Sequence, residues 1–160
     1  MRRALALAFL LPLAGCGFHP LYGDVKLAPQ LSSIYVEPIA DTSGYELRNS
    51  LIDLLRADGA EGSKAYHLSV SLSDSSQGVA LQNDAAITRY NDTLTANYVL
   101  TGADGKEVTS GSLTSLSSYN VATSPYATLA ARQDSDKRAA QDLAQRIALD
   151  LGVFFRKSRP

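Results

Sequence analysis

The sequence predicts an α+β fold, a two-layer sandwich in which one four-stranded sheet carries two helices on one face in the order βαβββα. Three observations support this fold class. Residues 66–73 alternate between apolar and polar side chains, which is typical of a half-buried strand. Asp104-Gly105 separates two further strand-like stretches and is typical of a hairpin turn. Apolar residues recur every three or four positions between Ala140 and Phe154, which indicates an amphipathic helix.

A short strand and a helix precede the alternating stretch. Ile34 and Val36 lie on one face of the strand, and a proline two residues later ends it. Ser43 and Glu46 have the spacing of a capping box, so a helix is predicted over about residues 44–58. The leucines of this helix form one stripe, and the glycine that follows it provides the stop.

The alternating stretch is the first strand of a predicted three-strand meander. The parity of its apolar residues changes after Gly78, which predicts a bulge there. We predict a turn over residues 82–85, a second long strand over residues 86–101 and a third over residues 106–119.

The chain closes on a long helix, predicted from Pro125 to Phe155 with Ser124 as its N-cap. The first half of this helix is mostly polar or alanine, so we expect it to project beyond the sheet. We interpret the basic residues 156–160 as a frayed end beside a helix C-terminus, and contact with anionic head groups is the alternative.

The N-terminal residues have the features of a lipoprotein signal. Arg2 and Arg3 precede the apolar residues 4–13, which are too few to span a bilayer and match a signal peptide. Leu-Ala-Gly-Cys then ends at Cys16, the only cysteine of the chain, in the pattern of a bacterial lipobox. We expect Cys16 to carry acyl chains, because two or more chains hold a protein firmly at a membrane. An ordinary signal peptide and a buried structural cysteine are the alternatives.

These features divide the chain into a signal peptide of residues 1–15, an acylated cysteine with its tether over residues 16–31, and a single α+β domain over residues 32–160. Without the signal peptide the chain has 13 Lys and Arg residues against 16 Asp and Glu residues, a net charge of −3. This balance argues against general nucleic-acid binding. The single cysteine allows no disulfide bond within the chain.

Little in the sequence points to catalysis. His19 lies in the tether and His67 lies on the polar face of a strand, and neither has a cysteine or carboxylate at metal-ligand spacing. The serines form no Gly-x-Ser-x-Gly motif, and no phosphate-binding loop or dinucleotide fingerprint is present. We therefore expect no catalytic residue, no metal and no cofactor apart from the acyl chains on Cys16.

The outer face of the predicted sheet is polar but almost uncharged, with Arg89 as the main exception. A hydroxyl and amide face can rest against another polar protein surface, such as the lumen of a large β-barrel. An ordinary solvated face with small side chains is the alternative. The polar members of this face are Ser69, Ser71, Ser73, Thr93, Thr95 and Asn97.

Several stretches of the chain resemble the LptE family of LPS-assembly lipoproteins. They are GCGFHPLYG at residues 15–23, AITRYN at residues 86–91 with Leu94-Thr95-Ala96, and ARQD and KRAAQDLA at residues 131–134 and 137–144. Together they span nearly the whole mature chain. The resemblance implies a non-enzymatic outer-membrane lipoprotein with a four-stranded sheet and two helices, which agrees with the order predicted above.

The resemblance also implies partners. The family plugs the LPS-transport barrel LptD, supports its assembly and contacts lipopolysaccharide on its way to the cell surface. The candidate barrel-facing residues are then Ser69, Ser71, Thr95 and Asn97, and Arg89 is the candidate contact to lipopolysaccharide. Gly17 stands after Cys16 where an aspartate would retain a lipoprotein in the inner membrane. We expect a lipid-anchored protein on the periplasmic side of the outer membrane.

A free-standing periplasmic carrier of lipid or glycan, anchored by the same acyl chains, is the competing hypothesis. A carrier should contain an apolar cavity and be stable alone. A plug should have a filled core and depend on its barrel.

Overall fold

The structure, a computed structural model, describes residues 28–57, 64–81 and 87–158, which form one mixed sheet with helices on one face. The elements are α1 (Ala28–Ser32), β1 (Ile34–Val36), α2 (Asp41–Leu55), β2 (Tyr66–Leu81), β3 (Ile87–Gly102), β4 (Glu107–Asn120) and α3 (Pro125–Lys157). The predicted α+β class and the order βαβββα are confirmed, with the short helix α1 as an addition.

The strands lie side by side in the order β1-β2-β3-β4. β1 is parallel to β2, and the other two pairings are antiparallel. The register between β2 and β3 shifts between Gly78 and Ala80, which confirms the predicted bulge. Gly105 has a φ of 74° in the turn before β4, as the predicted hairpin requires. The predicted turn at residues 82–85 lies outside the described residues.

The core lies between the sheet and the two long helices. The inward-facing residues of the sheet include Leu68 and Leu100, which have no exposed surface. They pack in one cluster with Leu51 of α2 and with Leu143 and Ile147 of α3, all equally buried. The predicted apolar faces of both helices and of the meander strands are therefore the faces that build the core.

Helix α2 begins and ends earlier than the sequence predicts. It spans Asp41–Leu55, and Ser43 lies inside its first turn instead of capping it. A methyl group on Gly44 would lie 2.7 Å from Cγ2 of Ile39, so the missing side chain lets the incoming chain pack against the first turn. At the other end Arg56 has a φ of 54° and terminates the helix before Gly59, the predicted stop.

Helix α3 matches its prediction closely, with one difference at its start. Ser124 occupies the N-cap position, but its side chain makes no capping hydrogen bond. Thr128 Oγ1 accepts a hydrogen bond of 2.9 Å from the backbone N–H of Ala122 and holds the incoming chain. Tyr126 is 80% exposed and Leu129 is 52% exposed, whereas Ser135 has no exposed surface. The first turns of α3 are therefore exposed, but the first half as a whole does not stand clear of the core.

The chain before β1 is partly folded onto the domain. Residues 28–31, the end of the predicted tether, lie with Ser32 in α1, and Leu31 is buried in the core. The side chain of Leu31 therefore belongs to the domain, and residues 16–27 of the tether lie outside the described residues. No helix within the described ranges is both long enough and apolar enough to span a bilayer.

Candidate functional site

The face of the sheet away from the helices is the candidate functional site, and we call it the outer face. The pairing register places every second residue of β2, β3 and β4 on it. Over its central part these side chains carry no charge. The hydroxyl and amide side chains there are Ser69, Ser71, Ser73, Ser75, Gln77, Asn91, Thr93, Thr95, Asn97, Ser110, Ser112, Thr114 and Ser118.

The structure brings the four predicted barrel-facing residues into one patch. Ser71 lies directly across from Asn97, and its Oγ donates a long hydrogen bond of 3.5 Å to the Asn97 carbonyl. Thr95 precedes Asn97 by two residues on the same face of β3. Ser69 lies one step further along β2, across from Val99. The patch is continuous and lies in the middle of the sheet.

Strand β4 adds residues to this patch that sequence reasoning missed. Ser112 lies across from Asn97, and Thr114 lies across from Thr95 with 3.2 Å between the two Oγ1 atoms. β4 carries serines on both faces, including the buried Ser115, so its polar pattern does not identify the outward side chains. The turn at Asp104-Gly105 fixes the register between β3 and β4, and this register could have identified Ser112 and Thr114 as outward-facing.

Charged side chains stand at the two ends of the outer face. Arg89 is exposed near the start of β3, where its Nη2 donates a hydrogen bond of 2.7 Å to Ser118 Oγ. Glu107 begins β4 at the other end, where its Oε1 accepts a hydrogen bond of 2.6 Å from Ser110 Oγ. Arg89 therefore lies at the rim of the uncharged patch and not among the four candidate barrel-facing residues.

Val99, Leu116 and His67 on the outer face differ from the hydroxyl and amide pattern. Leu116 of β4 is 68% exposed and lies across from Thr93. His67 packs edge to face against Tyr35 of β1, with 5.6 Å between the ring centroids. Within the described ranges no group of three or more His, Cys, Asp or Glu side chains could hold a metal ion.

The helix-covered face contains an acidic cavity of about 350 Å³ at the end of the core. Asp92 lines it and is only 7% exposed, and its Oδ1 accepts a hydrogen bond of 2.5 Å from Ser76 Oγ. Burial raises the pKa of Asp136, and the charges of Asp92 and Asp74 raise that pKa further. Arg132 lowers it, with its Nε 4.0 Å from a carboxylate oxygen of Asp136.

Sequence reasoning also missed this acidic cavity. Asp92 stands between Tyr90 and Leu94 in the alternation of β3, so its parity alone places it on the core face. Asp136 comes from a helix far along the chain, and only the packing of α3 over the sheet brings the two carboxylates near each other. Cys16, the predicted acylation site, lies outside the described residues.

Solved structures of bacterial lipoproteins share this fold. A candidate lipoprotein from Caulobacter crescentus is 33% identical, with a TM-score of 0.68 over 84% of this chain and 98% of its own. A minor lipoprotein from Acinetobacter baumannii is 20% identical, with a TM-score of 0.60 over 76% of this chain and 92% of its own. The rare lipoprotein B from Shewanella oneidensis is 13% identical, with a TM-score of 0.58 over 78% of this chain and 96% of its own. The last two show similarity of fold alone.

The class that the fold defines is therefore that of small α+β domains found in bacterial lipoproteins. No sequence among the curated proteins matches this chain. The sequence profile of the LptE family, described as lipopolysaccharide-assembly, matches residues 31–151. This range includes all of α2, the whole sheet, all the candidate outer-face residues and α3 as far as Leu151. The chain belongs to the LptE lipopolysaccharide-assembly family.

Proposed function

We propose that this chain is a non-enzymatic lipoprotein of the outer membrane that plugs the LPS-transport barrel LptD. In this role it supports assembly of the barrel and delivery of lipopolysaccharide to the cell surface. Membership of the LptE lipopolysaccharide-assembly family supports the pathway. The acylated Cys16 would hold the protein at the periplasmic side of the outer membrane, with the preceding signal peptide removed.

The outer face is the observation that carries the barrel partnership. Its centre combines exposed hydroxyl and amide side chains, among them Ser71 and Asn97, with no charged group. The lumen of a large outer-membrane barrel is polar, so short polar side chains can meet it without burying an unpaired charge. A sheet face that contacts only solvent usually carries Lys and Glu side chains, which this face lacks at its centre.

Arg89 is the proposed contact for lipopolysaccharide. Its guanidinium lies at the rim of the uncharged patch and donates to Ser118 with one nitrogen, which leaves further N–H donors for a ligand. Guanidinium groups bind phosphates and carboxylates through paired hydrogen bonds, and lipopolysaccharide is an anionic ligand of this kind.

The competing carrier hypothesis has less support. A lipid carrier needs a cavity lined by apolar side chains. The cavity of about 350 Å³ at the end of the core has four aspartates in its lining, namely Asp41, Asp74, Asp92 and Asp136. Carboxylates at this density disfavour an acyl chain in this cavity, which supports the plug over the carrier.

Photo-crosslinking from position 71 or 95 in living cells tests the proposal. We expect crosslinks to a protein of outer-membrane barrel type, because both positions lie at the centre of the outer face. Ser71→Glu should weaken the complex, since an unpaired buried charge is unfavourable by several kcal/mol. The isolated domain should stay folded, because Ser71 is exposed in the free protein.

Gln145→Glu provides the matched control, because it adds the same charge at an exposed position of α3. It should leave the complex intact. Crosslinks to the barrel from the helices and none from the outer face would keep the partner and refute the orientation. No barrel crosslink from any position would refute the plug and favour the carrier.

A further inference from the structure

Strand β4 is an open edge of the sheet, and its ladder to β3 shows which backbone groups point away. Val121 N–H donates to the Thr88 carbonyl at 2.9 Å, next to the paired residues Arg89 and Asn120. Hydrogen-bonded and non-hydrogen-bonded pairs alternate along an antiparallel ladder, and the register is constant from Arg89 to Leu100. The residues of β4 whose backbone N–H and C=O face outward are therefore Ser112, Thr114, Leu116, Ser118 and Asn120.

One of these outward groups already has a partner. Arg146 of α3 donates from Nη1 to the Thr114 carbonyl at 3.2 Å, and Asp142 holds the same guanidinium by an ion pair of 3.0 Å. Beyond Thr114, toward the end of the strand, the outward backbone N–H and C=O groups of Leu116, Ser118 and Asn120 have no hydrogen-bond partner in the described chain. The edge is thus open from Leu116 to Asn120.

An open groove of about 610 Å³ runs between this edge and helix α3. Residues 114–118 form its strand wall, and Arg138, Asp142 and Arg146 form its helix wall with Ala139 as the floor. Arg138 pairs with Asp134 as Arg146 pairs with Asp142, so the helix wall is close to neutral.

The edge also lacks the usual protection against pairing. Natural edge strands are short, or carry lysine, proline or inward charges. β4 has 14 residues with no lysine and no proline, and Glu107 at its beginning is its only charged residue. Leu116, 68% exposed, is the first residue of the open segment and offers an apolar contact. Such an edge suits β-strand addition by another chain.

We propose that the groove beside β4 binds an extended segment of the barrel partner, which pairs with Leu116–Asn120 as a fifth strand of the sheet. Outward donor and acceptor groups that repeat every second residue match the backbone of another extended polypeptide, since both have the same repeat. The near-neutral groove fits a segment with small polar or apolar side chains. The inference rests on the proposed plug function and adds a second contact, separate from the outer face.

Proline at position 118 tests the pairing. Ser118 N–H points away from β3, so Ser118→Pro removes an outward donor and leaves the ladder to β3 complete. We expect the complex with the barrel to weaken at least about fivefold, the effect of one lost hydrogen bond. Ser118→Ala is the matched control, because it also removes the hydroxyl that accepts from Arg89 but keeps the N–H.

Hydrogen exchange of the complete complex gives an independent reading that does not depend on the folding of a variant. The amides of Leu116, Ser118 and Asn120 should exchange quickly in the free protein and at least about tenfold more slowly in the complex. The amides of Ser115 and Ser117 should be protected in both states, because they bond to β3.

Unchanged exchange at the three outward amides, with crosslinks from position 71 to the barrel intact, would refute the inference and keep the plug. Crosslinks from position 116 to a second copy of this chain would also refute it. If no position of the chain crosslinks to a barrel, the proposed function itself is refuted.

Discussion

The ring of Tyr98 lies over Gly111, its partner across the ladder between β3 and β4. A methyl group on Gly111 would lie 2.7 Å from both Cζ and Oη of Tyr98. The hydroxyl at the end of this ring donates a hydrogen bond of 3.3 Å to Asp150 Oδ2 on α3. The glycine therefore makes the space through which an aromatic side chain joins the sheet to the helix.

Gly111→Ala should destabilise the domain. The added methyl group would displace the Tyr98 ring and its bond to Asp150, which by the usual effect of overpacking is unfavourable by about 1–3 kcal/mol. Denaturant unfolding measures the loss. Ser112→Ala, one residue away on the exposed outer face, should stay within about 0.5 kcal/mol of the native protein. Equal stability of the two variants would show that the ring does not need the glycine.

Asp136→Asn should stabilise the domain at neutral pH. Burial and the charge of Asp92 raise the pKa of Asp136 above its ordinary value of 3.8, so the folded state favours the protonated carboxyl. That stability is present below pH 3.8 and is lost as the pH rises through the folded-state pKa. The gain from the substitution should therefore appear at pH 7 and vanish below pH 3.8.

Thermal unfolding at several pH values measures this gain. Asp134→Asn is the control, because Asp134 is exposed and pairs with Arg138. It should give no stabilisation at pH 7. A gain for Asp136→Asn that persists unchanged in acid would contradict the electrostatic explanation.

Leu143→Ala should weaken the packing of α3 on the sheet. Leu143 has no exposed surface, and a deletion of this size in a core usually destabilises a protein by about 2–5 kcal/mol. Gln141→Ala and Gln145→Ala change exposed positions of the same helix and should have little effect. Chemical denaturation of the three variants provides the comparison, and similar losses at all three would mean that the helix packs through another face.

Cys16→Ala should abolish the membrane anchor. Without the thiol no acyl chain can be attached, so the protein should leave the membrane fraction or persist as the uncleaved precursor. Metabolic labelling with radioactive palmitate and cell fractionation measure both effects. Normal outer-membrane fractionation of the variant, together with unlabelled native protein, would remove the lipoprotein interpretation.

Local patterns in the sequence determined most of the secondary structure. The alternation of residues 66–73 gave the faces of β2 because one side of that strand meets the core and the other meets solvent. The apolar stripe through Leu143 and Ile147 gave the buried side of α3 for the same reason. Gly78 and Asp104-Gly105 identified the bulge and the turn, because the backbone conformations that these residues favour depend on the local sequence only.

The ends of α2 needed the tertiary structure. The capping signal at Ser43 was wrong, because the helix already begins at Asp41. Gly44 packs against Ile39 of the incoming chain, a contact that local residue spacing does not report. The end of the helix at Arg56 could not be predicted from the sequence either, since arginine has no preference for the left-handed conformation that it adopts there.

The candidate site was only half predictable from the sequence. Ser71, Thr95 and Asn97 were predicted to share the outer face because the parity within a strand fixes the face of a side chain. Their neighbours Ser112 and Thr114, the groove beside Leu116 and the acidic cavity at Asp92 depend on which strand lies at the edge and where α3 crosses the sheet. Periodicity within one segment reports which side of that segment is buried, but the register between segments is set by packing across the core, so only the tertiary structure decides what those faces meet.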